Sequence, residues 1–313
     1  MALRIIFMGT PEFARPTLEA LVSVGHGPEL VVCQPDRPQG RRREVIPSAV
    51  KSACADLNLP LLQPERVRCR AFYDELATIE PDLIITAAYG RILSAEVLAL
   101  PRLGCINLHP SLLPRYRGAA PVQHSIINGD SETGVSVLFM SDEVDAGDIL
   151  AQKRVSMPPD VTAGELLDDL AVLGARMMLE VVEAMANGRV QAYPQDPALV
   201  TYAPPLTSSS GYIDWTRPSI EIHNLIRGTQ PWPEAVTEFN GKRVIIKSAA
   251  VADPENEYGN PGEVVFRSKR RLLVACGQGL LEIFTLQTAS GRPLPASETA
   301  HNYRGGSFTV RVN

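Results

Sequence analysis

The first two thirds of the chain alternate between short apolar runs and longer segments with the spacing of amphipathic helices. The apolar runs are typical of the inner strands of a parallel sheet, because such strands are buried on both faces. They lie at 3–7, 30–33, 59–62, 82–87 and 103–106. The helical patterns lie between them, at 11–22, 50–57, 72–79 and 94–100. This alternation predicts a parallel sheet with right-handed crossover connections.

The longest helical pattern begins near Thr162, and Glu165 three residues later completes the sequence of a capping box. It extends to Ala186, where an Asn-Gly pair ends it. The stretch 189–207 contains four prolines and no helical or strand pattern, so we expect it to be a linker.

From Gly211 onward the pattern changes to short strands separated by Asn-Gly, Asn-Pro-Gly and Gly-Gln-Gly turns. Five such strands favour a small barrel of the OB type, a fold that often binds oligonucleotides. The predicted fold class is therefore α/β, with a Rossmann-like, doubly wound, mostly parallel sheet and a C-terminal OB-like β-barrel domain. The predicted domain boundaries are 1–188 for the sheet domain, 189–207 for the linker and 208–313 for the barrel.

Composition narrows the range of functions. The 313 residues carry a net charge of −5, which argues against a chain coated with basic groups. No apolar stretch approaches the ~20 residues of a membrane span, and a strand starts too early for a leader peptide. Five cysteines without a Cys-x-x-Cys pair indicate neither a disulfide framework nor a zinc site, so we expect a cytoplasmic protein without a metal. The first strand-helix turn has one glycine, so the dinucleotide fingerprint is missing.

Polar side chains follow the apolar run at 103–106. Asn107 and His109 are two residues apart, so an extended backbone directs both to one face. A second apolar run, 135–140, leads into an acidic loop that contains Asp145. Ligand sites of open α/β sheets lie beyond the carboxyl ends of the strands, so we expect these three side chains to meet there. A single histidine near a strand is more often structural, but two polar side chains on one face need a partner or a ligand.

The run NLHPSLLPRYRG at 107–118, with DAGD at 145–148, resembles the signature of the folate-dependent formyltransferases. This resemblance implies transfer of a formyl group from 10-formyltetrahydrofolate to an amine. It assigns His109 as the general base, Asn107 as the group that stabilises the oxyanion, and Asp145 as the carboxylate that orients His109. A base is typically worth about 10²–10⁴-fold and an oxyanion donor about 10²–10³-fold.

The same resemblance implies a folate-binding segment next to the catalytic residues. It consists of Ser111, Leu112, Leu113 and Pro114, with Arg117 and Gly118 beside it. Arg117 is compatible with two roles, orienting this loop or meeting an anionic group of the folate. At the end of the strand at 82–87, the small residue Ala88 and Gly90 leave room for a planar ligand to approach the backbone, which makes Tyr89 and Gly90 candidate folate-binding residues. Tyr89 is equally compatible with an ordinary half-buried aromatic residue.

A basic loop follows the second predicted strand, and its arginines are Arg37, Arg41, Arg42 and Arg43. Such a cluster is either a solvated loop or a grip for phosphate groups. The resemblance favours the second interpretation, because family members that formylate methionyl-initiator tRNA have a basic loop here that meets the acceptor arm. That tRNA and the folate are the expected partners of a monomer that does not bind membranes. The alternatives are an amino-sugar nucleotide formyltransferase and a non-catalytic protein that binds folate or RNA.

Overall fold

The computed structural model describes residues 3–39, 44–268, 271–288, 291–303 and 305–309. The chain forms two compact units. The first comprises Met1–Pro121, Glu132–Val155 and Leu167–Ala203, and the second comprises Val122–Ser131, Ser156–Leu166 and Pro204–Asn313. Residues 189–203, within the predicted linker, therefore pack with the first unit. The division of the chain into functional domains stays a prediction.

A seven-stranded sheet forms the centre of the first unit. The strands of this part of the chain, in order, are β1 (Ile5–Gly9), β2 (Leu30–Val32), β3 (Pro38–Gln39), β4 (Glu44–Val45), β5 (Leu61–Leu62), β6 (Leu83–Ala87), β7 (Cys105–His109), β8 (Glu132–Phe139) and β9 (Ile149–Ser156). The strand order is β5-β2-β1-β6-β7-β8-β9, whereas β3 and β4 form a separate two-stranded ribbon. The pairs from β5 to β7 are parallel and β8 is antiparallel to β7. This order confirms the Rossmann-like, mostly parallel sheet.

Burial explains why the apolar runs form the inner strands. Every residue of β1 and β6 is buried, as expected for strands that are covered on both faces. Asp82 secures the start of these strands, since its carboxylate accepts the Arg4 backbone N–H at 2.8 Å and the Arg102 Nε–H at 2.6 Å. These bonds lower the pKa of Asp82 below its ordinary value.

The helices between residues 15 and 186 follow the predicted order. They are α1 (Arg15–Ser23), α2 (Ala49–Leu57), α3 (Arg70–Ala77), α4 (Ala95–Leu98), α5 (Pro121–Ile127) and α6 (Ala163–Ala186). The start of α1 differs from the expectation, because a short 3₁₀ turn at Glu12–Ala14 precedes it. The Thr10 hydroxyl accepts the Gln34 N–H at 3.2 Å, so Thr10 bonds to the neighbouring loop. The capping box at Thr162 and Glu165 is confirmed by reciprocal bonds of 3.3 and 2.9 Å.

A curled antiparallel sheet occupies the second unit. Its elements are α7 (Ser219–Gly228), β10 (Ala235–Phe239), β11 (Lys242–Asp253), β12 (Val264–Arg267), β13 (Leu272–Ala275), β14 (Leu280–Thr288), β15 (Leu294–Pro295), α8 (Ala296–Thr299) and β16 (Phe308–Thr309). The order is β12-β13-β14-β11-β10-β16, with β15 paired to β14. A β-bridge between Glu263 and Ser307 links the residues that immediately precede β12 and β16, the two outer strands of this order. This curvature confirms the barrel-like part of the predicted fold class.

Trp215 lies at the centre of the core of the second unit. Its side chain is 2% exposed, and its ring stacks on Phe308 with 5.5 Å between the ring centres. The indole Nε1–H donates to the Thr237 hydroxyl at 2.9 Å, which satisfies the polar atom of the buried ring. In the described parts of the chain, no helix combines the length and the apolar character that crossing a membrane requires.

Candidate active site

Strand β7 presents the first two predicted catalytic residues. It lies between β6 and β8, with Asn107 opposite Thr86 on one side and His109 opposite Ser136 on the other. The carboxyl end of β7 therefore has neighbours on both sides. The alternation of side chains along the strand directs Asn107 and His109 to the same face.

The Asn107 amide has a fixed orientation. The Thr86 hydroxyl donates a hydrogen bond of 2.7 Å to its Oδ1, which leaves the NH₂ group at the other end. Asn107 Nδ2 lies 3.5 Å from Asp145 Oδ1. Thr86 was not among the predicted site residues. Its signal in the sequence is a hydroxyl in an otherwise apolar strand, and Thr86 is only 2% exposed.

The His109 ring is 4% exposed and both of its nitrogens face oxygen atoms. Nε2 lies 2.9 Å from the carbonyl oxygen of Tyr116, and Nδ1 lies 3.6 Å from Asp145 Oδ2. A carbonyl oxygen only accepts hydrogen bonds, so Nε2 carries the hydrogen in the neutral ring. Nδ1 of that neutral ring carries no hydrogen, although it faces the Asp145 carboxylate. Both partners are acceptors, so a neutral ring with a single N–H can donate to only one of them.

Asp145 lies between the amide and the imidazole. In addition to its contacts with Asn107 and His109, its Oδ2 accepts the Gly118 backbone N–H at 2.8 Å. The backbone of Asp145 has φ of 54°, a left-handed conformation that is uncommon for a residue with a side chain. The structure thus brings Asn107, His109 and Asp145 into one cluster, as their positions at the strand ends predict.

Glycines permit the close approach of the loops around this cluster. Gly118 has φ of 120°, and a Cβ atom there would lie 2.7 Å from the carbonyl oxygen of Ala203. A Cβ atom at Gly147 would overlap the carbonyl oxygen of Phe139. Side chains at either position would push the loops apart, which explains the glycines of the two signature segments.

Arg117 lies beneath the site rather than on the surface. It is 7% exposed, and its guanidinium donates to Gln195 Oε1 from Nε at 3.1 Å and from Nη2 at 2.9 Å. Its Nη1 donates to Glu143 at 3.1 Å. The guanidinium, for which the sequence allows either orienting the loop or meeting an anionic group of the folate, thus has protein partners. A role of Arg117 in folate binding stays a prediction.

Gln195 is a second residue that sequence reasoning missed. Its Nε2 donates to the carbonyl oxygens of Asp145 and Gly147, both at 2.8 Å. It lies 50 positions after Asp145, in a stretch whose prolines indicate only a linker. No local pattern marks it, because its partners are backbone atoms of a distant loop.

Side chains of β8 and β9 hold the predicted folate-binding segment. Ser136 Oγ donates to the Ser111 carbonyl at 2.6 Å and accepts the Leu113 N–H at 3.2 Å. Gln152 Nε2 donates to the Leu113 carbonyl at 2.7 Å. Leu113 is buried, whereas Leu112 and Pro114 are partly exposed. The segment is therefore fixed along its backbone.

Tyr89 and Gly90 lie just after β6, and their roles differ from each other. The Tyr89 ring packs in an apolar cluster with Ile84 and Val97, and burial raises its pKa to about 12. Its hydroxyl has no hydrogen-bond partner among the described residues. Gly90 has φ of 74°, and the preceding carbonyl accepts Gln34 Nε2–H at 2.8 Å. The ring of Tyr89 is thus part of the core, as one of the two interpretations expects.

The basic loop is only partly within the described residues. Arg37 is exposed, and the neighbouring Asp36 pairs with Lys51 and accepts Gln63 Nε2–H at 3.0 Å. Arg41, Arg42 and Arg43 lie outside the described residues. Within the described part of the chain, no group of three or more potential metal ligands comes together.

Comparisons with known proteins place the chain in a family. Residues 3–182 match the family described as formyl transferase, and residues 205–304 match the formyl transferase C-terminal domain. The chain is 44% identical to the methionyl-tRNA formyltransferase of Moorella thermoacetica over 96% of both chains. This protein belongs to the methionyl-tRNA formyltransferase family. It is also 44% identical to the family member of Stutzerimonas stutzeri, over 93% of this chain and 92% of that one. The predicted family is confirmed.

Solved structures extend the likeness to the fold. An N-formyltransferase from Helicobacter canadensis, in complex with folinic acid and dTDP-3-aminofucose, has a TM-score of 0.67 at 16% identity. The alignment covers 91% of this chain and 99% of that one. HypX from Aquifex aeolicus, in complex with tetrahydrofolic acid, has a TM-score of 0.62 at 18% identity, over 97% of this chain and 48% of that one. At these identities the comparison shows the fold alone.

Proposed function

We propose that this enzyme transfers the formyl group of 10-formyltetrahydrofolate to the α-amine of methionyl-initiator tRNA, with Asn107, His109 and Asp145 as its catalytic residues. The family membership gives formyl transfer to methionyl-tRNA as the activity, with a folate as co-substrate. The observation that carries the assignment of residues is the cluster of an amide, an imidazole and a carboxylate at the end of β7.

The reaction forms one C–N bond and breaks another. The neutral amine attacks the formyl carbon, and the carbonyl oxygen becomes an oxyanion. The amine then loses a proton, the bond from the formyl carbon to N10 breaks, and N10 takes up a proton. The products are formylmethionyl-tRNA and tetrahydrofolate. The protein must stabilise the oxyanion and move one proton from the amine to N10.

Asn107 is suited to stabilise the oxyanion. Because Thr86 occupies its Oδ1, the Nδ2 hydrogens are the only part of the amide that can face the reacting carbonyl. A donor with a fixed direction needs no reorganisation when charge develops, and such a donor is typically worth about 10²–10³-fold in rate.

His109 is suited to carry the proton. In the described arrangement Nε2 donates to the Tyr116 carbonyl. Before Nε2 can accept a proton from the amine, the ring must release that carbonyl and carry its single hydrogen on Nδ1, which faces Asp145. Asp145 stabilises the protonated ring through Nδ1. The ring can then return the proton to N10 as the donor leaves.

The proposal also assigns binding residues to the two substrates. The folate contacts Ser111, Leu112, Leu113 and Pro114, and it approaches the backbone at Gly90. The loop with Arg37, Arg41, Arg42 and Arg43 holds phosphate groups of the tRNA acceptor arm. The preference for initiator tRNA and the monomeric state are parts of the same proposal.

A single variant tests the catalytic assignment. We expect His109→Ala to abolish formylation of methionyl-tRNA while binding of the folate, measured by fluorescence titration, persists. His26→Ala is the matched control, because His26 precedes β2 and lies at the opposite end of the strands from the site. Turnover of His109→Ala near the level of the parent would remove His109 from the mechanism.

The acceptor is tested separately. The parent enzyme is given either methionyl-initiator tRNA or a 4-amino sugar nucleotide with the same formyl donor, and we expect product only with the tRNA. Product only with the sugar nucleotide would assign the chain to the alternative acceptor. No product with either acceptor, together with folate binding, would favour a non-catalytic protein.

A further inference from the structure

We propose that Gln195 is a positioning residue that holds the Asp145 carboxylate in place for formyl transfer. The inference deepens the proposed function, on which it rests. Gln195 contacts neither Asn107 nor His109 in the structure, and it acts through the backbone of the loop that carries Asp145.

The bonding pattern fixes the orientation of the Gln195 amide. Two backbone carbonyl oxygens, of Asp145 and Gly147, lie 2.8 Å from its Nε2 and can only be met by an NH₂ group. The guanidinium of Arg117 can only be met by an acceptor, and Oε1 receives its Nε–H and Nη2–H at 3.1 and 2.9 Å. Glutamine supplies two donors and one acceptor at the required ends, so all of these contacts are satisfied at once.

These contacts close a ring through the site. Arg117 bonds to Gln195, Gln195 bonds to the backbone of Asp145, and the Asp145 carboxylate accepts the N–H of Gly118, which follows Arg117 in the chain. The two signature loops are thus joined through one side chain from a third segment. A shift of the Asp145 loop would break either the Gly118 bond or both bonds to Gln195.

The conformation of Asp145 explains why such a clamp is needed. A left-handed backbone with φ of 54° at a residue with a side chain persists only when its surroundings hold it there. Gln195 bonds to the carbonyl of Asp145 itself and to that of Gly147 two residues later. Relaxation of this backbone would turn the carboxylate away from both Asn107 and His109.

The segment that carries Gln195 does not depend on this side chain for its attachment. Tyr193 pairs with Ile149 through two backbone bonds of 2.8 and 2.9 Å. Thr201 and Ala203 bond to Arg117 through their backbone at 2.9 and 2.7 Å. A role of Gln195 as a simple tether would therefore duplicate existing bonds, whereas its contacts with the Asp145 loop are additional to them.

Two substitutions separate positioning from tethering. Gln195→Glu keeps the size of the side chain and an acceptor for Arg117, but it loses both donors to the Asp145 loop. Gln195→Met loses the donors and the acceptor. We expect both variants to lose about 10²-fold in kcat at saturating substrates, the typical cost of a misplaced reacting group, with KM for tRNA and folate unchanged. Gln191→Glu is the matched control, because Gln191 is exposed on the same stretch and its side chain accepts a hydrogen bond from the Tyr193 hydroxyl.

A second measurement does not depend on the substrate. The Gly118 amide proton donates to a carboxylate, and its resonance in a ¹H–¹⁵N correlation spectrum reports that bond. We expect the resonance to move in Gln195→Glu toward its position in Asp145→Ala, and to stay unchanged in Gln191→Glu. If the parent does not formylate methionyl-tRNA, the proposed function fails, whereas the Gly118 resonance still decides the role of Gln195.

The contrary results are equally distinct. Parental kcat in Gln195→Glu would show that the acceptor for Arg117 is what matters and would overturn the proposal. An unchanged Gly118 resonance in that variant would overturn it as well. A loss of thermal stability with parental kcat would assign Gln195 a structural role only.

Discussion

At the scale of single residues, the chemistry of the site depends on which atoms already have hydrogen-bond partners within the protein. The Thr86 hydroxyl donates to Oδ1 of Asn107, and the Tyr116 carbonyl accepts from Nε2 of His109. The first contact prepares Asn107 for an oxyanion, whereas the second must be broken before His109 can act as a base. The NH₂ group of Asn107, whose direction Thr86 fixes, is therefore the preorganised part of the site, and the proton transfer requires a local rearrangement.

Thr86→Val tests this distinction. Valine fits a buried strand and has nearly the same shape, but it cannot donate to Asn107. The amide can then rotate, so we expect kcat to fall about 10-fold, less than the cost of losing an oxyanion donor altogether. Thr86→Ser, which keeps the hydroxyl, should retain parental kcat in the same formylation assay. Equal activity of Thr86→Val and the parent would show that Thr86 does not orient the amide.

At the scale of elements, the apolar runs identify the inner strands and the capping residues identify the helix ends. The runs at β1 and β6 match because their buried positions are apolar except for Thr86 in β6. The run at 103–106 identifies only the start of β7, which continues through Asn107 to His109. The strand β9 has no such signal, since only one of its eight residues is buried. Its pairing beside β8 comes from the sheet and not from its own composition.

Asp82→Asn tests how the start of β6 is held. The lowered pKa of Asp82 means that the ionised form stabilises the folded state at neutral pH and that this contribution is lost as the pH falls through the lowered pKa. Its side chain is 16% exposed, so we expect a loss of about 1 kcal/mol at pH 7.

The difference between parent and Asp82→Asn should shrink when urea denaturation is repeated at a pH below the ordinary pKa of an aspartate, because the ionised form of Asp82 then loses its stabilising contribution. Asp56→Asn, at an exposed position of α2, is the control and should leave the urea midpoint unchanged at both pH values. A difference that is the same at both pH values would mean that the ionised carboxylate is not the stabilising group.

At the scale of the whole molecule, two compact units each have their own sheet and apolar core. Family matches to residues 3–182 and 205–304 cover the first sheet and all of the second sheet except β16. The net charge of −5 gives no general attraction to nucleic acid, so recognition of a tRNA has to come from local basic groups. The arginine loop is the proposed group of this kind.

Replacement of Arg41, Arg42 and Arg43 by alanine tests that loop. We expect weaker tRNA binding and a salt dependence that is shallower by roughly 0.7 to 0.9 for each arginine that meets a phosphate, with folate binding unchanged. The control is a triple alanine variant at three exposed arginines, Arg66, Arg68 and Arg70, which removes the same charge. Filter binding at several salt concentrations measures both slopes. Identical slopes for the loop variant and the parent would show that the loop touches no phosphate.

The sequence by itself determined the fold class, the family and the placement of Asn107, His109 and Asp145 at one edge of the sheet. These features follow from local periodicity and from a contiguous signature, which a chain displays without being folded. Only the tertiary structure decided that Arg117 is buried against Gln195, that Thr86 orients Asn107, and that the Tyr116 carbonyl bonds to Nε2 of His109. Those contacts join residues through hydrogen bonds to distant or backbone atoms, and such bonds leave no periodic pattern in the sequence.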